Sequence, residues 1–246
     1  YWTVTNDWAC TRAGCYGFPS NEQATAQFTE QYFGEDISVR GLANVSIAEL
    51  DYTANGRAGV TLDFTDHALT AGTVVFANAK GQTFAGGTFT FNAVDFAADQ
   101  VSVTAEKGAT VKFPSATLTL QKGESLTADN ATIQFRQLTQ IGSTTGNDAY
   151  QPVLTMKGTN ARIKVSGTST KQTMTIGSGT ASPTSPKLVY ELPAAGFRAV
   201  PLQCASTTLT IKKDVFLDID ARALVQPDGG TVGTYPLASA GTLTCE

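Results

Sequence analysis

The residues that could do chemistry are few and scattered. His67, the single histidine, sits between Asp66 and Ala68, with Asp63 shortly before it. Nucleophilic catalysis would need a serine held against that imidazole, and no Gly-x-Ser-x-Gly elbow occurs in the chain. Glycoside hydrolysis needs two carboxyl groups facing one cleft. Asp63, Asp95 and Asp99 are the carboxylates that stacked elements would have to bring together. Asp214, Asp218 and Asp220 form the tightest acidic cluster. Asp218 and Asp220 share one strand face, which fits either a hard cation or a solvated outer surface. Arg162-Ile163-Lys164 places two cations on one side of an apolar residue, as an alternating strand with a polar outer face does. Phosphate-loop, dinucleotide and zinc-ligand patterns are absent from the sequence. These residues predict no catalytic constellation, no bound metal and no cofactor.

The cysteines fall as two pairs, Cys10 with Cys15 and Cys204 with Cys245. A zinc site would want Cys-x-x-Cys spacing or a nearby histidine, and neither exists. End-local disulfides, Cys10–Cys15 and Cys204–Cys245, are the expectation, and with them an extracellular or cell-surface location. The start, Tyr1-Trp2-Thr3-Val4, has no Met, basic residues or apolar run, and reads as a processed or engineered start with any signal peptide already removed. Asn44-Val45-Ser46 and Asn130-Ala131-Thr132 match the glycosylation triplet, but such triplets arise by chance in a chain with 37 threonines.

Composition sets the elements that must position these groups. Of 246 residues only 15% are charged, with 17 Lys and Arg against 21 Asp and Glu, so the net charge is −4. A surface so poor in cations is not built to attract nucleic acid or anionic lipid. No run approaches the roughly 18 apolar residues of a membrane-spanning helix. Threonine favours strands and the 23 glycines favour turns, so the composition is that of an all-β protein.

An internal period confirms the class. Gly87-Thr88-Phe89-Thr90-Phe91, Ala109-Thr110-Val111-Lys112-Phe113 and Ala131-Thr132-Ile133-Gln134-Phe135 follow one another at 22-residue steps. Val74, Phe96 and Leu118 keep the same step, as do Phe76, Ala98 and Leu120. Apolar residues recur every seven or eight positions, so each repeat holds three short strands. Such a unit has no way to bury its apolar side alone; stacking the next unit on it, about 4.8 Å away, does so. A β-sandwich also gives short alternating strands, but has no reason to hold one register three times over. The predicted fold is therefore a single-stranded parallel β-helix of about 22 residues per coil. Phe89, Phe91, Val111, Phe113, Ile133 and Phe135 face its interior. Thr88, Thr110 and Thr132 form an outward ladder.

The coil length and the Gly-, Asp- and Asn-rich corners resemble the right-handed parallel β-helix superfamily. Leu209-Thr210-Ile211, Val215-Phe216-Leu217-Asp218-Ile219, Gly233-Thr234-Tyr235-Pro236-Leu237 and Gly241-Thr242-Leu243 are similar to segments of autotransporter-associated strand proteins. The resemblance covers residues 37–246. It implies a right-handed solenoid on a bacterial surface. Some members of the superfamily are polysaccharide lyases, whose sites gather carboxylates around calcium beside a basic residue, and others are polygalacturonase-like hydrolases, with paired aspartates, a Gly-His-Gly turn and an Arg-Ile-Lys triplet. This chain has only the triplet.

Residues 1–36 are expected to cap the first coil. Ser20 and Gln23 form a capping box for a short helix that carries Ala24, Phe28 and Tyr32 on one face and stops at Gly34. Trp2, Trp8, Tyr16 and Phe18 crowd the same end, as packing for the cap or as a sugar platform. Loops project from the solenoid near 142–152, 177–187 and 193–206. Thr88/Thr90, Thr117/Thr119, Thr173/Thr175 and Thr208/Thr210 have the Thr-x-Thr pattern of ice-binding solenoids, although Lys112 and Gln134 interrupt the column of Thr90. The functional expectation is a structural or adhesive solenoid that meets a glycan, a surface protein or copies of itself through its ends. A carbohydrate-active enzyme and an extracellular filament subunit are the alternatives.

Overall fold

Period-two alternation is the physical rule that shapes this chain, and it produces strands almost everywhere. The computed structural model describes residues 8–10, 22–28, 36–52, 59–77, 81–143, 145–146, 149–166, 172–193, 196–220 and 237–245. Among them are nineteen strands, β1–β19 in chain order, and no helix. One sheet has the order β1 (Trp8–Cys10), β3 (Ile37–Gly41), β5 (Val60–Asp63), β7 (Gln82–Ala85), β9 (Ser102–Glu106), β11 (Ser125–Asp129), β13 (Val153–Lys157), β16 (Lys187–Glu191) and β18 (Phe216–Asp220). The other begins β2 (Thr25–Gln27), β4 (Val45–Asp51), β6 (Ala68–Phe76), β8 (Thr88–Phe96), β10 (Thr110–Leu120) and β12 (Thr132–Ile141). Next to β12 lie both β14 (Arg162–Ser166) and β15 (Gln172–Ile176), then β17 (Leu202–Ile211) and β19 (Ala238–Cys245). Every pairing is parallel except that of β1 with β3. The chain thus crosses from sheet to sheet and returns, laying each strand beside an earlier one, which is the topology of a β-solenoid.

The repeat read from the sequence is the register of β8, β10 and β12. Val111 faces Phe89 on one side and Ile133 on the other, and Phe113 faces Phe135. All of these side chains, with Phe91, are buried. The step between partners varies, however. Val45 faces Leu69, Ala68 faces Thr88, and beyond β12 the inserted loops widen it, so that Thr132 faces Arg162. The second set of columns is therefore misaligned in part: Val74 faces Val94 and Phe76 faces Phe96, not Phe96 and Ala98. Two of the three expected strands also fuse into one long strand. Its alternation breaks at adjacent exposed residues, Asn92-Ala93 in β8 and Pro114-Ser115 in β10. Farther along, the same course separates into β14 and β15.

Aromatic columns fill the interior. Phe28, Tyr52, Phe76 and Phe96 stack with ring centroids 5.0, 5.8 and 5.6 Å apart. Phe91, Phe113 and Phe135 form a second column at 5.8 and 4.9 Å. These separations lie in the favourable range for aromatic pairs.

The capping helix does not form where it can be seen. Thr25–Gln27 is strand β2, paired in parallel with Glu49–Asp51. The physical reason is arithmetic: a spacing of four, as between Ala24 and Phe28, satisfies a period of two as well as one near 3.6. The sheet edge offers backbone partners, and Ala26 and Phe28 are buried on it. Tyr32 and Gly34, like Trp2, Tyr16 and Phe18, lie outside the described residues. No helix among the described residues is long and apolar enough to cross a membrane.

Candidate functional site

Two of the carboxylates that the sequence singles out, Asp63 and Asp95, stand apart. Asp63 ends β5 in the first sheet, opposite Ala85, whereas Asp95 lies in β8 of the second sheet, opposite Val75. Asp99 is exposed in the turn after β8. Asp63 makes a turn rather than a site: its Oδ1 accepts the Thr65 N–H at 3.0 Å and the Thr65 hydroxyl at 2.8 Å. Burial opposes ionisation, but these donors, helped by Lys107 and Arg40, outweigh it and hold the carboxyl below the usual aspartate range. His67 belongs to the same turn. Its N–H donates to the Phe64 carbonyl at 2.7 Å, and its carbonyl accepts the Thr88 N–H at 3.0 Å. Gly87 packs against this turn with φ +59°, and a Cβ there would overlap the carbonyl oxygens of Phe64 and His67.

Asp214 is the anchor of the 177–187 loop. Its carboxylate accepts the N–H groups of Ser178 (3.0 Å) and Gly179 (2.6 Å) and the hydroxyls of Ser178 (3.3 Å) and Ser185 (3.2 Å). Burial works against the charge, and the Ser178 and Gly179 amides with the Ser185 hydroxyl overcome it, so this carboxyl also lies below its ordinary range. Asp218 is bonded to Lys187 at 2.7 Å across the β16–β18 pair. Among the described residues no three His, Cys, Asp or Glu side chains gather closely enough to hold a metal ion. Arg162 and Lys164 flank buried Ile163 on β14, opposite Thr132 and Gln134, as the alternating-strand reading requires.

The Cys204–Cys245 bridge is not formed; both are free thiols. Cys204 faces Ala240, whereas Cys245 faces Ile211, seven residues farther along β17. That separation is on the order of 20 Å, against the roughly 7 Å that a disulfide can span. Cys204 is buried with Sγ 3.7 Å from Met174 Sδ, and burial pushes its pKa up to about 12. Cys15 lies outside the described residues, and with it the Cys10–Cys15 pairing. The third loop is shorter than expected, because β17 begins at Leu202 and carries Cys204 into the core.

The outer surface carries regular ladders. Thr88, Thr110 and Thr132 face one another across β8, β10 and β12, each half-buried on the polar side. The first sheet carries a longer ladder that the sequence reading missed: Ser38, Thr61, Thr83, Thr104, Thr127 and Thr155 are partners on six successive strands. Their steps run from 21 to 28 residues, so a fixed 22-residue comb passes over them. Beside this ladder the register aligns Asp129, Lys157, Glu191 and Asp220. Lys157 lies 2.9 Å from Asp129, whose hydrogen bond raises the lysine pKa. These four line an open cleft of about 340 Å³ with Leu192 and Pro193.

Comparison with protein-family models, with curated proteins and with solved structures finds no match to this chain.

Proposed function

We propose that this chain is a secreted or cell-surface, non-catalytic β-solenoid: a right-handed parallel β-helix of about 22 residues per coil, similar to autotransporter passengers. It presents rigid outer faces to a glycan, a protein or further copies of itself. The observation that carries this reading is the six-strand hydroxyl ladder from Ser38 to Thr155. Right-handed crossovers are the rule for parallel strands returning to one sheet, which supports the handedness. General acid–base work on a sugar needs two groups in one cleft; Asp63 and Asp95 belong to different sheets, and in the cleft that Asp129, Glu191 and Asp220 do share, Asp129 is already paired with Lys157. Incubation with pectins, alginates, mucin glycans and plant glucans, with and without calcium, tests the reading. The expected result is retention on some of these materials with no release of reducing ends or unsaturated sugars. Turnover that disappears in Asp95→Asn or Asp99→Asn would replace the adhesin with an enzyme.

A filament subunit is supported by a separate observation. On β18, at the edge of the first sheet, Leu217 and Ile219 continue interior columns yet are exposed, as is Phe216. A second copy stacked on that end would cover them. Size-exclusion chromatography and negative-stain imaging distinguish polymer from monomer.

A further inference from the structure

Three strands of the second sheet repeat one pattern. β15 holds Thr173-Met174-Thr175-Ile176, β17 holds Thr208-Leu209-Thr210-Ile211, and β19 holds Thr242-Leu243-Thr244-Cys245. Thr173 faces Thr208, which faces Thr242; Thr175 faces Thr210, which faces Thr244. No register shift falls between these pairs. Met174 and Leu209 are buried, so the alternating threonines point outward. The outer column extends past β15, since Thr175 faces Gln140 of β12, and Gln140 faces Thr119 of β10. It therefore runs over five strands with only threonine and glutamine, and no charge.

The dimensions of this array identify a ligand. Strand spacing places threonines about 4.8 Å apart across the sheet, and alternate residues about 6.6 Å apart along it. Crystalline water is built from tetrahedral hydrogen bonds of about 2.75 Å, so two waters sharing a neighbour lie about 4.5 Å apart, and the lattice repeats about 7.3 Å along its axis. The mismatch across strands is about 0.3 Å per step, and accumulates to only about 1.2 Å over four steps, less than one hydrogen bond. Along the strand there is one step, with a mismatch of about 0.7 Å. Hydroxyls at these positions can stand in for lattice waters, the neighbouring methyls carry no competing hydration, and no charge must be desolvated. A two-dimensional repeat complements a periodic solid rather than a single molecule.

We propose that the outward threonines of β15, β17 and β19 form an ice-binding face. The proposal rests on the reading of the chain as an exposed, non-catalytic solenoid, and names a surface that it meets. Thermal hysteresis, ice recrystallisation and decoration of an ice crystal by fluorescently labelled protein test it on the full chain. The expected result is activity in the wild type, its loss in Thr208→Lys/Thr210→Lys, and its retention in Thr70→Lys on β6. Circular dichroism verifies folding, and Thr242→Lys/Thr244→Lys on the edge strand serves if the central pair does not fold. A wild type without effect on ice, or full activity in a folded lysine variant, overturns the proposal. So does retention on crystalline polysaccharide through these threonines with no effect on ice. Any of these with glycan retention and no turnover leaves the solenoid reading standing; glycan turnover overturns that reading itself.

Discussion

Phe113→Ala probes the packing that makes the stack a single body. Phe113 is 1% exposed, its ring is 4.9 Å from Phe135 at an interplanar angle of 9°, and Phe91 lies 5.8 Å away on the other side. Removing the ring opens a hole midway along the column. Strands on both sides are held by backbone pairing, so the walls cannot close on it. Buried Phe→Ala changes cost about 3–5 kcal/mol. Two ring contacts disappear at once, each worth about 0.5–1.5 kcal/mol beyond area, which places the expected cost in the upper part of that range, near 4–5 kcal/mol. For a chain of this length that lowers the melting temperature by roughly 10–20 °C. Thr110→Ala, three residues away on the outer side, should change stability by no more than about 0.5 kcal/mol. Urea titration of both variants, followed by circular dichroism, reads the contrast. A Phe113→Ala cost below about 1 kcal/mol, or an equal cost for Thr110→Ala, would refute the buried column.

Asp214→Ala leaves the Ser178 and Gly179 amides and the buried Ser185 hydroxyl without their acceptor, and should cost about 2–3 kcal/mol in thermal or urea unfolding. The folded carboxyls of Asp63 and Asp214 titrate below their unfolded values. Their contribution is therefore present above the unfolded aspartate pKa, near 4, and is lost as pH falls through the lower folded value. Unfolding measured between pH 2 and about 5 should show a steep acid limb that is shallower in Asp214→Ala. Alkylation at neutral pH should label exposed Cys245 in the native protein and reach Cys204 only after unfolding; a Cys204–Cys245 peptide on non-reducing mapping would contradict the pairing of β17 with β19.

The interior of this fold was legible in the sequence because inward positions repeat under strict packing rules. Phe89, Val111 and Ile133 had to be apolar, and Phe91, Phe113 and Phe135 had to stack, so the 22-residue step stood out. It misled where turn lengths differ. The β6-to-β8 step is shorter, which moved Phe96 from Val74 to Phe76. The Ala24–Phe28 segment was misread because its spacing serves both periods, and the neighbouring strand that decides between them is supplied by β4, far along the chain. The cysteines were misread for a related reason. Which end of β17 each one meets is set by register, and redox reasoning carries no register. The roles of Asp63 and Asp214 were hidden because their partners are backbone N–H groups in turns, which leave no mark beyond a nearby Ser, Thr or Gly.

Outward positions follow a different logic, and this is why function was the harder part. A parallel stack demands only that an outward residue tolerate neighbours about 4.8 Å away on either side. Thr, Gln, Lys and Asp all do so, and the column Thr90, Lys112, Gln134, Lys164 shows such mixing. Against that background, a column that stays uncharged over β10, β12, β15, β17 and β19 is more regular than strand propensity requires. Propensity would place threonine on any exposed strand. It gives no reason for charge to stop where two columns align, while Asp218 and Asp220 occupy outward positions on the opposite sheet of the same coils. A doubled column departs from what the fold demands in two directions at once, and it is on the threonine face of β15, β17 and β19 that selection for a ligand should be sought.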